Sequence, residues 1–273
     1  DLAEAAELSK LLKGMHGHVN LIPVNPIKER DFVQSNRPAI EAFKNLLEKN
    51  GIKIDMVSGC SMGAVVGGLY AAGVPVEKLK EELKDLKRGR LMDFYPKALR
   101  NMGLMSGDKI VRYLKGLCGD VLIEDLKTPF VATAVDIVTG KTVYIDKGPL
   151  LDAIRASISI PGLFAAVKKD NMLLVDGGVK ERIPVSILKE KGMDKTLAIN
   201  TSTDPGVMRP KNMVMMLSRA FDLMDWESCR RGCFCEADYT VPMERGCEIV
   251  YYKPSEAVKA YEMGEDRKST RLN

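Results

Sequence analysis

The stretch that most constrains this chain runs from Ile54 to Gly73. Ile54-Asp55-Met56-Val57 is a short, mainly apolar run suited to a buried strand. Gly59-Cys60-Ser61-Met62-Gly63 fits the pattern G-x-S-x-G, and residues 64–72 are small and apolar, interrupted only by glycine. Strand, sharp turn and helix in immediate succession are the context that turns this pattern into a nucleophile elbow. Ser61 is then expected in a strained turn, its hydroxyl at a helix N-terminus. Free N–H groups and the helix dipole favour developing negative charge there. Gly59 and Gly63 are expected to let strand and helix approach without a Cβ clash. Cys60 and Met62 fill the variable positions of the motif.

A serine nucleophile needs a base. The two histidines, His16 and His18, both precede Ser61. The order Ser, acid, His of the α/β-hydrolases is therefore impossible. What remains is a carboxylate, a lysine, or an N-terminal histidine brought in by the fold. The best candidate is Asp176, in Leu173-Leu174-Val175-Asp176-Gly177-Gly178. An apolar strand delivers this aspartate into a turn whose two glycines are expected to leave the carboxylate open. A plain hairpin turn is the bland alternative for Asp-Gly-Gly. The elbow and the absence of a usable histidine favour a Ser–Asp pair.

Residues from about 52 to 262 resemble the bacterial patatin-like phospholipases. The matching pieces are Gly59–Gly63, Asp176-Gly177-Gly178, the segment from Ala153 to Gly162, and Ile183-Pro184-Val185. The resemblance implies an α/β fold, a three-layer α/β/α sandwich with a largely parallel sheet. It also implies a Ser–Asp dyad that hydrolyses acyl esters of lipids, with Ser61 as nucleophile and Asp176 as base. No metal and no organic cofactor is implied. The partner is a lipid or acyl-ester substrate, with peripheral membrane contact and no nucleic acid. The family also carries a glycine-rich loop ahead of the elbow, whose N–H groups form the oxyanion hole. Between Gly17 and Gly51 this sequence has no glycine, so impaired catalysis is expected. The alternative is a non-catalytic, lipid-binding or chimeric chain.

The first 51 residues carry a different resemblance. Leu11 to Met15 and His18 to Pro26 resemble the C-terminal part of the radical-SAM methyltransferase of ribosomal and transfer RNA adenine, and Asn25 falls on a position that contacts S-adenosylmethionine there. No C-x3-C-x2-C motif is present to hold the cluster, so RNA methylation is discounted. The expected organisation is a foreign segment 1–51 (helix, strand, loop, helix) packed onto the sheet, an acyl-hydrolase domain 52–263, and a disordered tail 264–273 with one apolar residue.

Composition sets outer bounds. A chain of 273 residues with 45% hydrophobic and 29% charged content can bury a full core. The net charge of +4 permits attraction to anionic surfaces without demanding it. No apolar run approaches the ~18 residues of a membrane span, and no signal peptide opens the chain. Cys229-x3-Cys233-x-Cys235 lacks zinc spacing. Six cysteines without such a framework read as reduced thiols in a cytoplasmic protein, and the resemblance adds an expected association with a membrane. Arg155 is a candidate for a lipid phosphate or for a structural ion pair. A Met-rich helix over 212–231 is expected to put Met213, Met216, Leu217 and Phe221 in the core.

Overall fold

A computed structural model of the chain describes residues 54–84, 103–199, 206–211, 213–231 and 236–241. The expected segment 1–51 and the tail 264–273 lie outside the described residues, as do Asn25, Cys233, Cys235 and Cys247.

The elbow region folds as strand β1 (Val57–Cys60) followed by helix α1 (Met62–Ala71). Helix α2 (Val76–Lys84) comes next, then a short strand β2 (Gly103–Met105) and helix α3 (Asp108–Cys118). Strands β3 (Phe130–Asp136) and β4 (Lys141–Ile145) form a hairpin, and helix α4 (Leu150–Ser157) follows. Strands β5 (Gly162–Phe164), β6 (Val167–Lys169) and β7 (Met172–Asp176) lead to helix α5 (Ser186–Glu190). Strand β8 (Leu197–Ile199), helix α6 (Met213–Arg231) and strand β9 (Tyr239–Val241) complete the described chain.

Burial on both faces explains why β3 reads as an unbroken run of seven buried residues. Phe130, Ala132 and Ala134 point into a core with Ala64 and Leu69 of α1, Leu114 of α3, and Leu150 and Ile154 of α4. Val131, on the opposite face, packs with Met56, Ile187 and Leu188, so α5 covers that side. Helices thus lie on both faces of the sheet, an α/β arrangement.

Among the described strands the sheet is mixed, so the largely parallel sheet expected from sequence is met only in part. Within its five strands only β1–β3 is parallel, while β3–β4, β3–β7 and β6–β7 are antiparallel. For β6–β7 the reason is local, since a two-residue turn joins the strands and can only reverse direction, whereas β3–β7 is a long-range pairing. The separate short pairs β2–β5 and β8–β9 are parallel. Strand β2 falls in a stretch that reads from sequence as irregular; it is too short to show a period and is fixed by its partner.

Two further expectations change. Met216 and Leu217 of α6 are exposed, as are Leu223 and Met224, so these positions do not build the core. A serine ahead of α3 predicts a cap at Ser106, but Gly107, at φ 80°, takes the cap position. Ser106 still serves the helix start, because its Oγ accepts from the Asp108 N–H and donates to the Asp108 carboxylate. Among the described residues no helix is long and apolar enough to cross a membrane.

Candidate active site

Two strands meet end to end along one edge of β3. β1 runs parallel to β3 and ends with Cys60 opposite Thr133. β7 runs antiparallel to β3 and ends with Asp176 opposite Ala134. β4 occupies the other edge, opposite Ala132 to Asp136. β1 and β7 therefore share an edge and point their C-terminal ends at each other. Ser61 follows β1 directly, and Asp176 closes β7. Two residues far apart in sequence are brought together by this one topological feature.

The elbow is strained as the motif requires. Ser61 stands at φ 53° and ψ −122°, one of two non-glycine residues with positive φ among those described. Such a conformation costs on the order of 1–3 kcal/mol and persists only where surrounding structure imposes it. Gly59 is what permits the tight turn: a Cβ there would lie 2.4 Å from the Gly63 carbonyl oxygen and 2.7 Å from the Ala64 nitrogen. Gly63 itself is different, because a Cβ there would meet nothing among the described residues. The close approach expected of both glycines falls on Gly59 alone. Serines at helix starts ordinarily bond a backbone N–H of the first turn. Ser61 makes no such side-chain cap bond, which leaves its hydroxyl uncommitted to the helix. Met62, next to it, is exposed.

Asp176 is not open, contrary to the expectation from its two glycines. Its side chain is buried, with the residue only 4% exposed. Its Oδ1 accepts from the Gly178 N–H at 2.8 Å and from the Cys60 thiol at 3.6 Å. The turn is a short 3-10 segment, Gly177–Val179, rather than a hairpin. Gly177 is required there, since a Cβ would meet the Thr133 carbonyl oxygen at 2.6 Å. Burial pushes the Asp176 carboxyl above its ordinary value. The Ser61 side chain, the Gly178 N–H, the Arg182 charge and the Cys60 thiol pull against that shift without cancelling it. Oδ2 is buried and has no partner of good hydrogen-bond geometry. Ser61 is thus a neighbour that acts on the carboxyl without a closed bond to Oδ2, the loose geometry common before substrate tightens a site.

Arg155 is committed elsewhere. Its Nε donates to the Ser106 carbonyl at 2.9 Å, Nη1 to Ser159 Oγ at 2.6 Å, and Nη2 to the carbonyls of Ala165 at 2.8 Å and of Ser106. These bonds tie α4 to the chain just after β2 and β5. The Cys60 thiol is buried and the Cys118 thiol half-buried. Among the described residues no group of three or more His, Cys, Asp or Glu side chains could hold a metal ion.

Sequence reasoning passes over Ser157, although it lies within the segment from Ala153 to Gly162. It is fully buried at the end of α4. Its Oγ accepts from the Ser61 N–H at 2.9 Å and donates to the Thr133 carbonyl at 2.7 Å. The only signal in the sequence is a small polar residue at the C-terminus of an apolar helix.

A family model described as patatin-like phospholipase matches residues 39–189, more than half of the chain. The chain belongs to that family. The match begins inside the segment 1–51 that reads from sequence as foreign, and the methyltransferase resemblance of that segment draws no support from these comparisons. Among similar proteins, an uncharacterized NTE family protein of Mycobacterium tuberculosis is 36% identical over 154 residues, covering 56% of this chain and 42% of its own length. The lysophospholipase nte1 of Emericella nidulans is 30% identical over 161 residues, 58% of this chain and 10% of its own. A lysophospholipase NTE1 of Meyerozyma guilliermondii is 30% identical over 162 residues, 58% of this chain and 11% of its own. The patatin-like chain therefore spans less than half the length of the curated relatives it matches.

Proposed function

We propose that this chain is a serine hydrolase of lipid acyl esters, with Ser61 as nucleophile and Asp176 as general base. The observation that carries the reading is the head-on meeting of β1 and β7, which sets a strained serine beside a buried carboxyl. Ser61 Oγ attacks the ester carbonyl carbon while its proton passes to Oδ2 of Asp176. Asp176 then returns that proton to the leaving alcohol, and an acyl-Ser61 ester remains. Water gives a proton to Asp176 and attacks the acyl-enzyme; the carboxylic acid leaves and Ser61 regains its proton. A carboxyl held above its ordinary value is suited to this, because it takes up a proton more readily than an exposed aspartate. Two of the similar proteins are named lysophospholipases, and a lysophospholipid or related acyl ester is the substrate class proposed here. The substrate would be met at a membrane surface without insertion into it.

Turnover is expected to be low. Pre-set N–H donors supply much of the rate in acyl transfer, and one lost donor costs about 10²–10³ in kcat. The expected strand 19–24 runs into Asn25-Pro26-Ile27, where Pro26 has no N–H to give. The test uses a fluorophosphonate probe and a p-nitrophenyl ester on the full chain. Ser61→Ala should abolish labelling, and Asp176→Asn should cut ester turnover by ~10²-fold or more. Replacing residues 18–37 by a strand with a glycine-rich loop should raise kcat. Labelling that survives Ser61→Ala refutes the nucleophile, and unchanged turnover in the graft refutes the account of the oxyanion hole.

A further inference from the structure

The segment Ser157 to Ser159 bonds to both halves of the site. Ser157 Oγ accepts the Ser61 N–H at 2.9 Å, and the Ser159 carbonyl accepts the Asp176 N–H at 2.9 Å. Only Ile158 separates the two contacts. The ladder between β1 and β3 shows what Ser157 replaces. The Val57 N–H donates to the Pro129 carbonyl. Bonds in a parallel pair recur every second residue, so the ladder takes the Gly59 N–H to the Val131 carbonyl and would take the Ser61 N–H to the Thr133 carbonyl. At Ser61 the positive φ turns the chain away from the ladder. The Ser157 hydroxyl stands in that gap: it accepts from the Ser61 N–H and donates to the Thr133 carbonyl at 2.7 Å. One hydroxyl thus spaces the elbow from β3 by one extra hydrogen bond. The segment is braced in turn, since Arg155 donates to Ser159 Oγ, and Ser159 Oγ donates back to the Arg155 carbonyl at 2.8 Å.

The geometry points to Ser157 as a positioning residue that fixes the distance between Ser61 and Asp176 through the 157–159 segment. This inference rests on the dyad reading above. Without the hydroxyl, the elbow either closes onto Thr133 or loses its anchor, and Ser61 Oγ moves relative to Oδ2 of Asp176. Binding of the ester is left largely alone, so the loss belongs in kcat.

The test compares Ser157→Ala, Ser157→Cys, Ser61→Ala and Ile187→Val on p-nitrophenyl butyrate, with fluorophosphonate labelling rates alongside. Ser157→Cys keeps the side-chain shape but puts a weak donor and acceptor in the hydroxyl's place, and it serves if the alanine variant does not fold. Ile187→Val trims the core on the opposite face of the sheet from α4 and supplies a small stability loss there. The expected result is a kcat lowered about 10–100-fold in both Ser157 variants, with KM within about twofold. Labelling of Ser61 should slow to match, while Ile187→Val keeps its kcat. A Ser157 variant at the parent's kcat overturns the positioning role, as does an equal loss in Ile187→Val. If Ser61→Ala retains turnover, the dyad reading falls and this inference falls with it. If Ser61→Ala is inactive and Ser157→Ala is at the parent's rate, only the positioning role falls.

Discussion

Gly59→Ala and Gly63→Ala should have opposite effects, although both change a glycine of the same motif. A Cβ on Gly59 would lie 2.4 Å from the Gly63 oxygen, 2.5 Å from the Gly63 carbon and 2.7 Å from the Ala64 nitrogen. Each distance is roughly 1 Å short of van der Waals contact. All three atoms are backbone, so no rotamer change relieves the clash, and α1 as a whole must retreat from β1. That retreat is resisted, because Gly67 and Gly68 already press α1 against Val57, Phe130, Leu150 and Ile154. Overpacking of this kind costs about 3 kcal/mol or more, the upper end for inserted methyl groups. For a domain of this size the loss corresponds to about 6–12 °C in Tm. At Gly63 an added Cβ meets open space among the described residues, and alanine there should hold or raise stability by up to about 1 kcal/mol. Urea unfolding followed by far-UV circular dichroism measures both. A Gly59→Ala midpoint within about 0.5 kcal/mol of the parent, or equal losses in the two variants, would refute the argument from close approach.

Asp176→Asn should be more stable than the parent at pH 7. Burial raises the folded carboxyl above its ordinary value of 3.8, so the folded protein holds its proton more tightly than the unfolded chain. The parent therefore loses stability as pH climbs from that ordinary value through the raised one, and asparagine, which does not ionise, escapes the loss. Unfolding midpoints at pH 4 and pH 7 check this, and the advantage of the variant should shrink at the lower pH. Arg155→Lys should cost about 2 kcal/mol, because a single ammonium cannot serve the Ser106, Ser159 and Ala165 oxygens as the guanidinium fork does. Urea midpoints measure it, and a loss under about 0.5 kcal/mol would show those bonds to be incidental.

Much of the site is legible in the chain itself because its constraints are local. G-x-S-x-G after an apolar run dictates strand, strained turn and helix, and Ser61 sits at positive φ as that pattern requires. The positions of His16 and His18, both ahead of Ser61, exclude the order Ser, acid, His, and the Asp-Gly-Gly turn then offers a carboxylate as a candidate base. Element boundaries such as α4 at Leu150–Ser157 follow from periodicity and flanking turns. Tertiary structure decided everything that depends on which strand lies beside which. Strand direction is not written in a strand's composition, so the mixed sheet cannot be read from β3 or β7 alone. The burial of Asp176 beneath Cys60 and Gly178 depends on β7 ending against the end of β1, not on the glycines that follow it. Exposure of Met216 and Leu217 likewise reflects where α6 lies, since an apolar residue reads the same whether or not a neighbour covers it. Ser157 is the clearest case: a lone serine at a helix end carries no sequence signal, and its part appears only when α4, β3 and the elbow converge on its hydroxyl.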